Sequence, residues 1–195
     1  MKRESIDRNK YSDIDLIKGC VEGRLVFQEL LYKRYFSFAM SVCIRYTKNV
    51  DEAMEIVNDS FMKMFNNLND YNIDRPFKSW FSKILVNTTI DSFRKGLKHS
   101  ANLSLELVDE AEDIEPNIDN VLSAEDILKL FAELPEVYRF TFNLYEIEGY
   151  SHEEIGKMLG VAESTSRSNL TRAKKMLRTL YNKHFNPEKL SHEAV

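Results

Sequence analysis

Residues 149–173, GYSHEEIGKMLGVAESTSRSNLTRA, constrain the fold more tightly than any other part of the chain. Ser151 followed three residues later by Glu154 is a capping box, so a helix starts at this serine. Ile155, Met158 and Leu159 give that helix one apolar face. Gly160 falls where the helix ends and the backbone has to turn through positive φ, and Val161 plugs the turn. A second helix begins near 163–165 and continues past Leu170. A short helix, a glycine turn and a second helix make a helix-turn-helix.

The second helix carries a segregated charge pattern. From 164 to 183 there are six basic residues (Arg167, Arg172, Lys174, Lys175, Arg178, Lys183) and no acid. Thr165, Ser166, Ser168, Asn169 and Thr171 add short hydrogen-bonding side chains. Hydroxyls beside the free N–H groups of a helix start suit phosphate oxygens. Arg167 and Arg172 can reach guanine edges in a major groove, while Ser168, Asn169 and Thr171 are short enough to let the helix lie deep. A solvated outer helix of an ordinary bundle would share the basic run alone. The cap, the turn glycine and the short polar residues together tip the reading to duplex DNA.

Helical order extends to the rest of the chain. Gly and Pro account for only ten of 195 residues, which argues against a turn-dense sandwich or barrel, and 43% hydrophobic residues suffice for a real core. Phe27, Leu30, Leu31, Tyr35 and Phe38 form one helical stripe, and Ile56, Val57, Phe61, Met64 and Phe65 another. Residues 66–76, NNLNDYNIDRP, break the pattern as a loop, and a new helix is expected over 77–95 with Trp80, Ile84, Ile90 and Phe93. The span 99–126 holds nine acids and neither Lys nor Arg, so it reads as an extended linker. Helical periodicity returns over 124–185. The expected fold class is all-α: two small helical domains joined by an acidic linker, the C-terminal one containing the helix-turn-helix. The boundaries are a tail at 1–12, a domain at 13–97, the linker at 98–123, a domain at 124–185 and a tail at 186–195.

The net charge of −4 is therefore a sum of unlike parts, since 75–98 holds six basic residues against one acid, Asp91. Trp80 and several Phe interleave with these bases, a composition suited to single-stranded nucleic acid, although Trp80 at helical spacing equally suits a core. The charged N-terminus lacks a signal-peptide core, and no run of 18 apolar residues is present, so no membrane insertion is expected. Cys20 and Cys43 sit inside helical patterns without CxxC spacing and read as buried thiols in a reducing, cytoplasmic compartment. Four scattered histidines receive no role. Glu55 and Asp59 lack His partners for a metal, so no catalytic residue, metal or cofactor is expected.

The ordered set of motifs resembles the sigma factors of bacterial RNA polymerase, in the extracytoplasmic-function (ECF) group that keeps regions 2 and 4. Leu16-Ile17, Gly23, Phe27 and Leu31-Tyr32 are similar to the start of region 2. Residues 53–61, AMEIVNDSF, are similar to A-E-D-hydrophobic-V-Q-E-x-F, with Met54 and Asn58 in place of the usual Glu and Gln. Phe77, Trp80, Phe81, Ile84, Asn87, Ile90, Asp91, Arg94 and Lys95 follow F-x-x-W-L…I-A-x-N…I-D-x-x-R-K. Leu134-Pro135 with Arg139 opens region 4, and the helix-turn-helix closes it, with Ser166 at a usually apolar position. The resemblance covers about 13–180 and makes the two domains regions 2 and 4.

The resemblance implies a promoter-specificity subunit that directs transcription initiation rather than a catalyst. It implies −35 contacts from Thr165, Arg167, Ser168, Asn169, Thr171, Arg172 and Lys175. It implies −10 recognition and melting by the 66–76 loop and its helix, through Tyr71, Asn72, Arg75, Trp80, Asn87, Arg94 and Lys95. Glu55, Asn58, Asp59 and Phe61 would grip the β′ clamp helices of RNA polymerase core, with the β flap as a further partner. The acidic linker would thread the polymerase channel as a mimic of RNA, and an anti-sigma factor is an expected regulator. A dimeric helix-turn-helix regulator is the competing reading, and it differs in requiring a palindrome bound without core enzyme. A stand-alone RNA-binding adaptor is disfavoured, because major-groove features do not suit A-form RNA.

Overall fold

The structure, a computed structural model, describes residues 11–99 and 122–185, with side chains described over 11–97 and 122–185. Residues 1–10 and 186–195 of the expected tails and residues 100–121 of the expected acidic linker lie outside the described residues, while Tyr11 and Ser12 at the end of the first tail are described. Every regular element among the described residues is helical. Two compact units divide the chain, Met1–Cys43 with Val50–Ser92, and Ile44–Asn49 with Phe93–Val195.

The first unit is built from α1 (Asp13–Val21), α2 (Leu25–Cys43), α3 (Val50–Asn66), a single 3₁₀ turn (Leu68–Asp70) and the first part of α4 (Phe77–His99). Ser12 starts α1 by accepting from the Asp15 N–H at 3.2 Å, while the Asp15 carboxylate accepts from the Ser12 N–H at 3.0 Å. Pro76 precedes α4, where its missing donor costs nothing. The apolar stripes read from the sequence converge in a core of Leu31, Tyr35, Val57, Phe61, Met64, Phe77 and Phe81. Ring contacts at 4.8 Å (Tyr35–Phe77) and 4.9 Å (Phe61–Phe81) tie α2, α3 and α4 together. Cys20 and Cys43 are buried free thiols, and burial pushes the Cys20 thiol up to about 11, which keeps it protonated and unreactive at neutral pH.

The second unit gathers α5 (Ala124–Glu133), α6 (Glu136–Phe142), a π turn (Asn143–Ile147), α7 (His152–Leu159) and α8 (Glu163–Phe185). Ser123 and Asp126 repeat the capping box at α5, and Pro135 ends the connection into α6. The long α8 is the spine: α5, α6 and α7 all pack on it. Leu130, Phe131, Leu134, Leu180 and Tyr181 form the core under α5. The turn at Ile44–Asn49 and the last part of α4 belong to this unit as well. Phe140 stacks on Phe93 at 4.6 Å and meets Tyr46 at 5.1 Å. The Arg45 guanidinium pairs with Glu148 at 2.8 Å, and the carbonyl of Arg45 accepts from the Asn143 amide at 3.1 Å.

Candidate nucleic-acid interface

The helix-turn-helix is α7, its turn and the start of α8. Glu154 accepts from the Ser151 N–H and hydroxyl, both at 2.8 Å, and the backbone hydrogen bond foremost holds its carboxyl below the usual range. Gly160 adopts φ 72°, the left-handed conformation that ends α7. One turn earlier, a Cβ on Gly156 would stand 2.8 Å from the Val161 carbonyl, so glycine there lets the turn close against α7.

The roll of α8 decides which residues face outward. Ser166, Asn169, Leu170 and Ala173 are buried. At 100° per residue they form one inward stripe, and the opposite side carries Ser164, Ser168, Thr171, Arg172 and Lys175, flanked by Thr165 and Arg167. Arg167 and Thr171 are exposed, and Thr165, Ser168, Arg172 and Lys175 are half-buried. Asn169 departs from the expectation. It is only 1% exposed because it lies three residues on from Ser166, on the stripe that faces the protein, and it offers nothing to a groove. Arg167 pairs with Glu163, and Lys174 pairs with Glu146 at 2.6 Å. The side chains of Arg172 and Lys175 make no hydrogen bond or ion pair among the described residues, while the Lys175 carbonyl accepts from the Thr179 hydroxyl at 3.3 Å.

The 66–76 loop leaves α3 through the 3₁₀ turn and is pinned by rings. Tyr71 stands 5.1 Å from Trp80 and 5.4 Å from Phe77, and its hydroxyl donates to the Arg75 carbonyl. Asn72 accepts from the Asp74 N–H at 2.9 Å, which holds the loop tip. Asn72, Ile73, Asp74 and Arg75 are left exposed, while Tyr71 and Trp80 are half-buried supports. Burial is the main cause that raises the Tyr71 hydroxyl above its ordinary value. Asn87 is exposed on α4 within the first unit. Arg94 and Lys95, further along α4, are exposed and fall in the second unit. Arg94 donates from Nε to the Met158 carbonyl at 2.7 Å and from Nη2 to the Lys157 carbonyl at 2.9 Å, so its guanidinium covers the C-terminal end of α7.

On α3, Glu55, Asn58 and Asp59 are exposed on one face, and Asn58 accepts from the Tyr32 hydroxyl at 3.3 Å. Phe61 does not share that face. It is 2% exposed and packs on Tyr32 at 4.4 Å, so it is a core residue. Sequence reasoning missed Met62, which is 62% exposed beside these acids. Its i, i+3, i+4, i+7 spacing with Glu55, Asn58 and Asp59 was the available signal. It also missed His152, whose ring meets the buried Ser166.

One unit carries a capped helix-turn-helix with a basic outward face, and the other an exposed loop that rests on aromatic rings; these are the features of a transcription protein. Residues 31–98 match the family Sigma-70 region 2, and residues 124–177 match Sigma-70, region 4. The chain is 31% identical over 135 residues to the RNA polymerase sigma factor SigV of Bacillus subtilis (strain 168), covering 68% of this chain and 78% of that one. It is 26% identical over 190 residues to the ECF RNA polymerase sigma factor SigW of the same organism, covering 91% and 95%. A solved complex of the sigma factor RpoE with the anti-sigma factor NepR from Bartonella quintana aligns at TM-score 0.48 and 23% identity, covering 79% of this chain and 96% of that one. The chain belongs to the RNA polymerase sigma factors, in the ECF group. It is a transcription initiation factor whose partners are RNA polymerase core and promoter DNA.

Proposed function

We propose that the outward face of α8, with Thr165, Arg167, Ser168, Thr171, Arg172 and Lys175, reads the −35 element in a major groove. The observation that carries this reading is the sorting of α8: one stripe buried, and the opposite stripe basic, hydroxyl-rich and free of acid after Glu163. A bidentate arginine on guanine is worth about 1–3 kcal/mol of discrimination. Asn169 has no part in it.

The exposed loop tip at Asn72 and Arg75, backed by Tyr71 and Trp80, takes the −10 strand. An unstacked base finds ring faces there, and its phosphates find Arg75 and, along α4, Asn87, while Lys95 offers a further phosphate contact from the second unit on its own. Arg94 joins this set only by exchanging the α7 carbonyls for phosphate. Glu55, Asn58, Asp59 and Met62 form the face offered to the β′ clamp helices, with an apolar side chain at the end of an acidic row. Region 2 over 13–97 and region 4 over 124–185 then act as two weak readers on one scaffold, each raising the effective concentration of the other. RNA synthesis belongs to the core enzyme and recognition to this chain, in the cytoplasm where core and chromosome meet. An anti-sigma factor, as bound by the Bartonella protein, would compete for the same faces.

Run-off transcription with purified core on genomic fragments tests the reading. Adding the chain should start discrete promoter-specific transcripts. Absence of any such transcript on every template overturns it.

A further inference from the structure

The inward side of the recognition helix holds a polar contact where helix pairs of this size ordinarily pack carbon on carbon. Ser166 is wholly buried, and its hydroxyl lies 3.0 Å from Nδ1 of His152. His152 is the first residue of α7, and its ring stacks on Tyr145 of the π turn, with centroids 4.4 Å apart and planes 18° from parallel. Three elements thus meet at one point: the π turn, the start of α7 and the first full turn of α8.

This point is distinct from the turn that joins α7 to α8. At the turn, Gly160 and the close approach of Gly156 to Val161 fix where α8 begins. The His152–Ser166 contact lies at the other end of α7, seven residues from Leu159, and acts on the direction and roll of α8 about that fixed start. Ile155 and Leu170 are buried where α7 packs on α8, and apolar packing is tolerant of small rotations, whereas a hydrogen bond to a buried hydroxyl is directional. Ser166 is flanked in sequence by Thr165 and Arg167, so any roll that breaks the bond swings both across the groove.

We infer that His152, held by Tyr145 and bonded to Ser166, is a positioning residue for promoter selectivity, setting the roll of α8 and hence which bases Arg167 and Arg172 can reach. The inference rests on α8 being the helix that meets the −35 duplex. His152 touches no DNA itself in this account. Its imidazole Nδ1 is the acting atom, and Asn places an amide atom close to where Nδ1 stands, whereas Gln places one near Nε2 and beyond reach of Ser166.

The test uses holoenzyme assembled from the full chain and purified core, challenged with a randomised duplex library, with the bound fraction sequenced. Four variants are compared with the wild type: His152→Asn, His152→Gln, Ser166→Ala and the double variant His152→Gln/Ser166→Ala. Affinity is then measured on the duplex that the wild type selects. His152→Gln and Ser166→Ala should each flatten the upstream base preferences and weaken binding about tenfold, and the double variant should lose no more than either single change, because one contact is being removed. His152→Asn should keep the wild-type profile within about threefold. Core affinity and helical content should be unchanged in all four. Equal profiles for His152→Asn and His152→Gln, or losses that multiply in the double variant, overturn the inference. Arg172→Ala is the control. If it flattens the profile while His152→Gln does not, the positioning role fails alone; if neither does, α8 is not the reader and the inference falls with that reading.

Discussion

The two units bury their polar side chains in different ways. In the first, the small buried hydroxyls look to their own helix: Ser60 donates to the Ile56 carbonyl, Thr88 to Ile84 and Thr89 to Val86, each at 2.7 Å, and the buried Tyr35 hydroxyl reaches another element, donating to Asp13 of α1. The serine and threonine bonds place no condition on the neighbouring helix, and apart from Asp13, which takes Tyr35 and Arg34 from α2, the core of the unit is held by rings and aliphatic side chains. In the second, several polar groups reach across elements, while Thr141 donates to the Val137 carbonyl of its own helix. Asn143 donates to the Arg45 carbonyl at 3.1 Å, buried Arg139 donates to the Phe131 carbonyl at 3.3 Å, and Ser166 meets His152. Directional bonds between elements specify one arrangement and penalise its neighbours. The difference suits the roles proposed for the two units. A loop that receives a flexible strand needs a firm platform, while a helix that reads a groove needs a defined roll.

The largest effect that could break this contrast lies in the first unit. Phe81 is wholly buried among Tyr35, Phe61 and Phe77. Phe81→Ala should lower the unfolding free energy by about 3–5 kcal/mol in a urea titration followed by circular dichroism. A loss under about 1 kcal/mol would show that this unit does not depend on its apolar core.

A smaller effect of opposite sign is expected in the second unit. Both side-chain polar atoms of Asn169 are buried without a hydrogen-bond partner among the described residues. An unpaired buried amide costs about 1–3 kcal/mol, so Asn169→Leu should raise stability by about 1–2 kcal/mol while the −35 preference holds. Destabilisation, or a changed base preference, would mean that Asn169 belongs to the polar seating of α8.

The smallest effect sharpens the contrast at the start of α7. The Ser151 N–H and hydroxyl hold the Glu154 carboxyl below its ordinary 4.5. A lowered folded value means the stabilisation is complete above pH 4.5 and is lost as pH falls through the lowered value. Glu154→Gln keeps the shape without the charge. Its thermal midpoint should sit slightly below that of the wild type at pH 7, with the gap closing in acid. A gap independent of pH would remove the charge from the explanation.

What the sequence made legible was local. The capping box at Ser151, the glycine end of α7 and the break after Asn66 are each written in adjacent residues, and the helix boundaries there follow from them. The roll of α8 is not local. Whether Asn169 faces a groove or the protein is decided by which residue of α8 meets α7, and a serine at that position gives no apolar signal. Phe61 teaches a different lesson, for it lies on the helical stripe of Val57 and Met64 and was legible as core. The family motif drew it to the surface, although its spacing already contradicted that. The π turn at Asn143–Ile147, which brings Tyr145 to His152, has no sequence signature at all.

In the proposed division of labour, the acidic face of α3 holds the polymerase and the basic face of α8 holds upstream duplex. The most direct test of this division is to measure core affinity and upstream duplex protection for two variants, Asp59→Lys and Arg172→Ala, prepared side by side. Asp59→Lys should weaken core binding tenfold or more, about 1.4 kcal/mol at the least. Arg172→Ala should leave core affinity at the wild-type value and abolish upstream protection by the holoenzyme. Loss of core binding by Arg172→Ala, with Asp59→Lys unaffected, would contradict it.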